Sequence, residues 1–465
     1  MSLISRPAIE LDALRARIAG ELHAPGDAGY DDARAAWNLA VDQRPALVAS
    51  PRTAGDVAAV VRFAAEHGLR VAPQGTGHGA SARSGLEDSV LVNFAHMRAV
   101  EIDARRRRAR AEAGALWIDV VEPASAQGLA ALAGSSPDVG VVGYALGGGI
   151  GWLARAFGLC SNSVTAIEVV TADGEQRRCD HEHDPELFWA LRGGSGSYAV
   201  VTAIELQLIA VPEVYAGAML WPWERAREVL HAWREWTADA PEAATTSARI
   251  LQVPPAPDIP APVRGRQFVV IDGAVLGTEP FARDVLAPLR ALGPEIDLFA
   301  MAPPAALSRI HMDPEHPVPG ATTHAMLEDL PAEAIDAMVA VAGPGSGSPL
   351  LAVELRHAGG ALARVPAGAG ALSRLQAPYV MFSVGALMAP EMAEPVAAHL
   401  ARVDEAFAPW ASARSYLNFA DVPTDTSRVY PDDTFAALRA IKATYDPTDL
   451  VHANHPIAPS SRREG

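Results

Sequence analysis

The stretch VAPQGTGHGA, residues 71–80, sets one histidine among three glycines. Gly75, Gly77 and Gly79 occupy alternate positions, and His78 stands between the last two. No Gly-Lys-Ser/Thr follows, so this is not a Walker-type phosphate loop. The G-x-G-x-G spacing also departs from the dinucleotide fingerprint, and no strand–helix frame encloses it. Dense glycine still has a physical meaning. A backbone without Cβ atoms can turn its N–H groups toward an anion and lie close against a planar ligand. Taken in isolation, the loop could equally be a tight surface turn around a hydrogen-bonded histidine.

On its N-terminal side the apolar spacing predicts a helix over Val57–Ala65, stopped near Gly68 and followed by a short β-run. On its C-terminal side, SVLVNFAHMRAVEID (89–103) and RARAEAGALW (108–117) read as paired strands, with the arginine run 105–108 as a solvated turn. VTAIEVVTADGEQRRC (164–179) reads as a strand and hairpin turning at Asp173-Gly174. A short helix capped by Asp184 and a strong β-run over 199–211 follow. Two more glycine-rich loops punctuate this region, GYALGGGIG (143–151) and RGGSGS (192–197). Each is weak alone; three in this order point to one extended cofactor wrapped by backbone.

The texture changes after Pro212. A proline-rich connector (253–265) and helical stretches over 223–239, 279–292 and 390–408 alternate with strand candidates at 266–275, 349–357 and 378–388. That alternation fits an α+β domain with a mostly antiparallel sheet. From about residue 412 the text returns to short, motif-dense pieces.

The composition excludes several classes. The 465 residues are 49% hydrophobic and 20% charged, globular values that allow two or three domains. A net charge of −17 argues against nucleic acid or an anionic membrane surface as partner. Cys160 and Cys179 are the two cysteines, which excludes a disulfide framework. The N-terminal residues lack the apolar core of a secretory signal, and no apolar run reaches the ~18 residues of a membrane span. The expected location is therefore cytoplasmic. CDHEHD (179–184) packs its ligand-type residues too tightly for a tetrahedral shell, so no metal is expected.

Four segments in order then carry a resemblance. QRPALVASPRTAGDVAAVVRFAAEHGLRVAPQGTGHGA (43–80), VGYALGGGIGWLARAFGLCSNSV (142–164), the run from VVTADGE to GGSGSYAVVTAIELQL (169–208), and YLNFAD with LRAIKATYDPTDLVHANHPI (416–457) are similar to the vanillyl-alcohol oxidase/PCMH flavoprotein superfamily. Within it, the chain resembles the berberine-bridge-enzyme-like FAD-linked oxidases. The resemblance implies an α+β fold: a two-subdomain PCMH-type FAD-binding domain (1–211), a substrate domain with an antiparallel sheet covered by helices (212–410), and a C-terminal segment (411–465) returning to the first domain.

It further implies FAD joined at its 8α carbon to His78. Gly75, Thr76, Gly77, Gly79 and Ala80 would line the cofactor around that bond. Ser136, Val139, Gly140, Gly143, Gly147, Gly148, Gly149 and Gly151 would line it from the central stretch, with Val200 beyond. Asn418 and Asn454 would meet the pyrimidine edge of the flavin. Doubly tethered members carry cysteine in G-x-C-P-x-V-G, whereas this chain reads GSSPDVG with Ser136 at that position, so one covalent link is expected. GSYAVVT in place of the usual G-N-F-G-V-V-T, and Phe419 where a second aromatic hydroxyl often stands, are further departures.

For proton transfer the resemblance points to Tyr416, acting as a phenolate beside a cation. Strand alternation puts Glu354 and Arg356 on one face and His357 on the other, making Glu354 an acid/base candidate. His324 is a third candidate for the pocket. The implied activity is oxidation of an organic alcohol or amine, with dioxygen as acceptor and hydrogen peroxide as product. A dehydrogenase using another acceptor, or a flavin-retaining protein of reduced activity, is the alternative. No partner beyond a small-molecule substrate and dioxygen is implied, for a monomer or homodimer.

Overall fold

The computed structural model describes residues 8–257 and 259–460. The first sheet runs in the order Glu21–His23, Leu47–Ser50, Ser89–Asn93, Arg70–Gln74. Its last three strands are parallel and its first is antiparallel. The helix Ala54–Glu66 links Leu47–Ser50 to Arg70–Gln74 and covers one face. The Thr53 side chain caps this helix by accepting from the Asp56 amide at 3.1 Å.

The 89–93 segment was expected to pair with 108–112, and here the sequence pattern misleads. Val90, Leu91 and Val92 are fully buried, and the continuous apolar run suits a parallel strand covered on both faces. Val100–Asp103 and Arg108–Glu112 do pair, in a second, antiparallel sheet with Val200–Gln207, Val164–Val170 and Gln176–Cys179. Asp184 is another correction. It precedes the helix Pro185–Leu191 with φ 45° and makes no side-chain cap. Its carboxylate instead accepts from the Tyr445 hydroxyl at 3.1 Å.

The third sheet is antiparallel, and at its centre lie Val214–Pro222, Gln267–Val275, Ala244–Gln252, Ala352–His357, Tyr379–Ala386 and Gly320–Leu327, in that order. Its register sorts side chains by face. Ala248, Ile271, Val353 and Leu355 join one apolar cluster with residues of the helices Ala226–Asp239, Glu279–Arg290, Ala332–Ala342 and Ala393–Phe407. The alternate positions form polar rows across neighbouring strands: Asp272, Ser247 and Arg356 in one, Arg249, Glu354, Phe382 and His324 in the next.

The C-terminal residues close the first sheet. His452 donates its amide to the Val71 carbonyl at 2.7 Å, and Val71 donates to Leu450 at 2.8 Å, so an exposed strand edge is covered. Lys442, the only lysine in the sequence, anchors this closure from the helix Asp432–Tyr445. Its ammonium is fully buried and donates to Asp446 at 2.6 Å and to the Ser197 carbonyl at 2.7 Å. No helix among the described residues is long and apolar enough to cross a membrane.

Candidate active site

His78 follows the end of strand Arg70–Gln74 on the loop that the glycines permit. Gly77 has φ +85°, and a Cβ there would lie 2.8 Å from the Ala36 backbone, so glycine is required. This close approach seats Trp37 on the loop: its amide donates to the Thr76 carbonyl at 2.9 Å, and its ring stacks on His78 at 4.2 Å. The Thr76 hydroxyl lies 2.7 Å from His78 Nδ1. His78 Nε2 is 3.6 Å from Asp138 Oδ1 and has no hydrogen-bond partner among the described residues. Burial opposes ionisation of Asp138, but the His78 ring, the Trp37 indole and the Ser136 hydroxyl outweigh it and hold the carboxyl below its ordinary value.

The central glycine stretch and the C-terminal segment meet beside this loop. A Cβ on Gly147 would sit 1.7 Å from Asn418 Oδ1, and one on Gly79 would sit 2.6 Å from Asn454 Nδ2. Asn418 also donates to the Tyr144 carbonyl at 3.0 Å. Gly140 faces the Thr76 side chain, and the Val139 carbonyl accepts from the Trp117 amide. Gly148 and Gly149 both have positive φ and lie against the rings of Tyr416 and Tyr144 respectively. A Cβ on Gly151 would meet the Ala133 carbonyl at 1.8 Å, while Gly143 has open space around it. Gly75 lies near the Ala113 carbonyl, and the Ala80 amide donates to Gly77. Val200 differs from the rest. Its side chain is in the core with Val71 and Val170, not on a loop.

Tyr416 and Tyr144 are fully or largely buried, and both hydroxyls lack a hydrogen-bond partner among the described residues. Burial pushes the Tyr416 phenol far above its ordinary value, and the pull of Arg356 is a minor opposing influence. The expected cation-stabilised phenolate is therefore not what this arrangement produces. The hydroxyl comes toward the Gly149 backbone without completing a hydrogen bond.

Glu354 lies on the polar face of the third sheet, locked by ions. One carboxylate oxygen accepts from Arg356 Nε at 2.5 Å and the other pairs with His311 Nε2 at 2.9 Å. Burial works against the charge, but Arg356 and His311 outweigh it and keep Glu354 ionised well below the usual carboxylate range. A carboxylate so stabilised is a weak base, against its expected role. His311 Nδ1 also pairs with Asp272 at 2.8 Å, and Asp272 with Arg249 at 3.1 Å. Burial and Arg249 oppose protonation of His311, yet Asp272, Asp313 and Glu354 together raise it to about 9. The Arg356 guanidinium lies over Phe419 at 5.0 Å. Phe419 in turn stands edge-on to Tyr416 at 5.4 Å.

His324 shares this face but serves the loop that carries Tyr416. Its Nε2 lies 3.1 Å from Ser415 Oγ and accepts from the Tyr416 amide at 3.4 Å. Burial, with His455 nearby, pushes it down to about 4. It is a neutral anchor for residues 415–416. In the CDHEHD loop His183 pairs with Asp180 at 2.9 Å and His181 stands edge-on to Phe188.

Sequence reasoning missed Asp138, Tyr144, His311 and Asp272. A lone aspartate inside the apolar run VVIDGAV was a readable signal for Asp272. Nothing local distinguished His311.

Residues 45–180, which hold the histidine loop and the central glycines, match the FAD binding domain family. The (R)-6-hydroxynicotine oxidase of Paenarthrobacter nicotinovorans is 37% identical over 205 residues, 44% of this chain and 45% of that enzyme. The uncharacterized FAD-linked oxidoreductase YvdP of Bacillus subtilis is 26% identical over 96% of this chain and 99% of its own. The crystal structure of 6-hydroxy-D-nicotine oxidase from Arthrobacter nicotinovorans superposes with a TM-score of 0.79 at 25% identity, covering 98% of this chain and 99% of that one. Over its whole length this chain is similar to FAD-linked oxidoreductases, and residues 45–180 carry an FAD binding domain. Its fold is that of these similar proteins, an FAD-binding domain and a sheet-rich second domain. Its residues fit FAD on their own chemistry. Gly79 and Gly147, too tight for a Cβ, face the Asn454 and Asn418 amides, while the unpartnered Tyr416 hydroxyl leaves a polar atom for a ligand.

Proposed function

We propose that this oxidoreductase holds FAD through one covalent bond from His78 and oxidises a small organic alcohol, amine or related molecule, with dioxygen as electron acceptor. The observation that carries this reading is the convergence of His78, Asn418, Asn454 and Tyr416 on the same glycine loops. Residues 1–211 and 411–465 would carry the cofactor, residues 212–410 the substrate. Bound FAD would supply hydride acceptance at its N5 atom and electron delivery to dioxygen, giving hydrogen peroxide.

The chain's own residues do the rest. Gly75, Thr76, Gly77, Gly79 and Ala80 present His78, and Ser136, Val139, Gly140, Gly143, Gly147, Gly148, Gly149 and Gly151 shape the second wall. Asn418 and Asn454 orient the cofactor from the C-terminal segment, and Val200 supports the site from the core beneath. Tyr416 is the group that hydrogen-bonds the substrate's hydroxyl or amine. Its high phenol value makes it a neutral hydrogen-bond donor and acceptor at ordinary pH. Glu354 fixes Arg356 over Phe419, so that the guanidinium edge orients a polar substrate group. His324 sets the backbone of Tyr416.

The test is anaerobic mixing of the purified enzyme with a panel of alcohols, amines and sugars, followed by admission of air. Bleaching of flavin absorbance by one class, then stoichiometric peroxide on reoxidation, is expected. Bleaching without peroxide would replace the oxidase reading with a dehydrogenase.

A further inference from the structure

Resting on the His78 tether proposed above, we infer that Asp138 is the positioning residue for that bond. Its carboxylate keeps the imidazole proton on Nε2, leaves the lone pair on Nδ1, and balances the positive charge the ring acquires as it bonds.

The partners of the ring set the tautomer. Thr76 presents a hydroxyl 2.7 Å from Nδ1, and a hydroxyl can donate there. Asp138 presents an ionised carboxylate 3.6 Å from Nε2, and that group can only accept. A proton on Nε2 suits both, with the carboxylate acting as a nearby charge and not as a hydrogen-bond partner. The opposite tautomer would set an Nε2 lone pair against carboxylate oxygens. The carboxylate is also fixed in place: Oδ2 accepts from Trp37 Nε1 at 2.5 Å and Oδ1 from Ser136 Oγ at 3.0 Å. The same Trp37 stacks on His78 with an interplanar angle of 21°, so one side chain positions both members of the pair. Ser136, at the position expected to lack a second tether, thus holds the carboxylate behind the first. The logic is that of an aspartate that orients a catalytic imidazole and stabilises its cation without taking the proton outright.

In the net step the Thr76 hydroxyl gives up its hydrogen bond to His78 Nδ1, one C–H bond of the flavin 8α-methyl group breaks, and a C–N bond to Nδ1 forms from the freed lone pair. The hydrogen leaves as a proton, and the C–H electron pair stays in the isoalloxazine, which is reduced. Dioxygen, itself reduced to hydrogen peroxide, restores the oxidised form.

The test follows covalent flavin by acid precipitation and intact mass while purified protein is incubated with excess FAD in air. Flavin released into the acid supernatant measures non-covalent binding in the same samples. Wild type is expected to keep its flavin in the pellet. Asp138→Asn should bind as much total flavin but couple it at least about tenfold more slowly, with Asp138→Glu recovering part of the rate. Coupling of Asp138→Asn at the wild-type rate overturns the inference and leaves the tether standing. Release of all flavin by wild type overturns the tether, and this inference with it. If Asp138→Asn retains no flavin of either kind, Trp37→Phe and Asp138→Glu decide. Slowed coupling with flavin bound supports the role, and wild-type rates in both overturn it.

Discussion

His78 and His311 each face carboxylates, Asp138 in one case and Asp272 with Glu354 in the other, yet the two rings are held very differently. His311 bonds at both nitrogens, at 2.8 and 2.9 Å, within a buried array that includes Arg249 and Arg356. His78 is bonded at Nδ1 by a threonine hydroxyl, and its Nε2 stops 3.6 Å short of Asp138. A saturated buried imidazole is a structural cation tying three strands and a loop together. An imidazole whose Nδ1 lone pair is met only by a neutral, displaceable hydroxyl is one that can still form a bond. The difference lies in the neighbours and not in the residue type.

The most severe way to break the comparison is His78→Ala. It should abolish covalent flavin in acid-precipitated protein while leaving the third sheet intact by circular dichroism; retained adduct would place the tether elsewhere. Asp272→Ala should act in the opposite sense, leaving His311 and Arg249 buried without their partner. A loss of about 3–5 kcal/mol in urea unfolding is expected, with the flavin bond unaffected in the protein that remains folded. Tyr416→Phe should slow anaerobic flavin reduction by about 10²-fold, and an unchanged rate would remove this hydroxyl from contact with the reacting substrate.

The histidines also predict two pH limits of opposite sign. His311 is raised from 6.5 to about 9, so its contribution is complete below about 6.5 and is lost as pH rises through about 9. His324 and His455 are each lowered from 6.5 to about 4, so their own contribution is full above about 6.5 and declines as pH falls toward about 4. Urea midpoints measured across this range should fall on both sides. In a His324→Gln variant the acid-side decline should become shallower, the smallest of these effects.

Much of this was legible because it is local. The glycine spacing around His78, the helix near 57–65 and the turn at Asp173-Gly174 are written in adjacent residues. Glu354 and Arg356 were put on one face by alternation alone, and the register agrees. What alternation cannot show is what lies opposite. Glu354 is neutralised by His311, which arrives on a loop distant in sequence, and so an apparent acid/base residue becomes part of an ion lattice. The anchoring contact of His324 is hidden for the same reason, since its partner Ser415 is 91 positions away. Residues 89–93 were misassigned because a short apolar run carries no information about which sheet will receive it.

Lys442 has a consequence outside catalysis. Every other basic side chain that this chain carries permanently charged is an arginine, and the single ammonium is sealed between Asp446 and the Ser197 carbonyl. The folded surface thus offers no side-chain amine to acylating reagents, aldehydes or cross-linkers. Modification of Lys442 requires the C-terminal closure to open, so the rate of its acylation is a built-in clock for that opening, read at one residue in the whole protein.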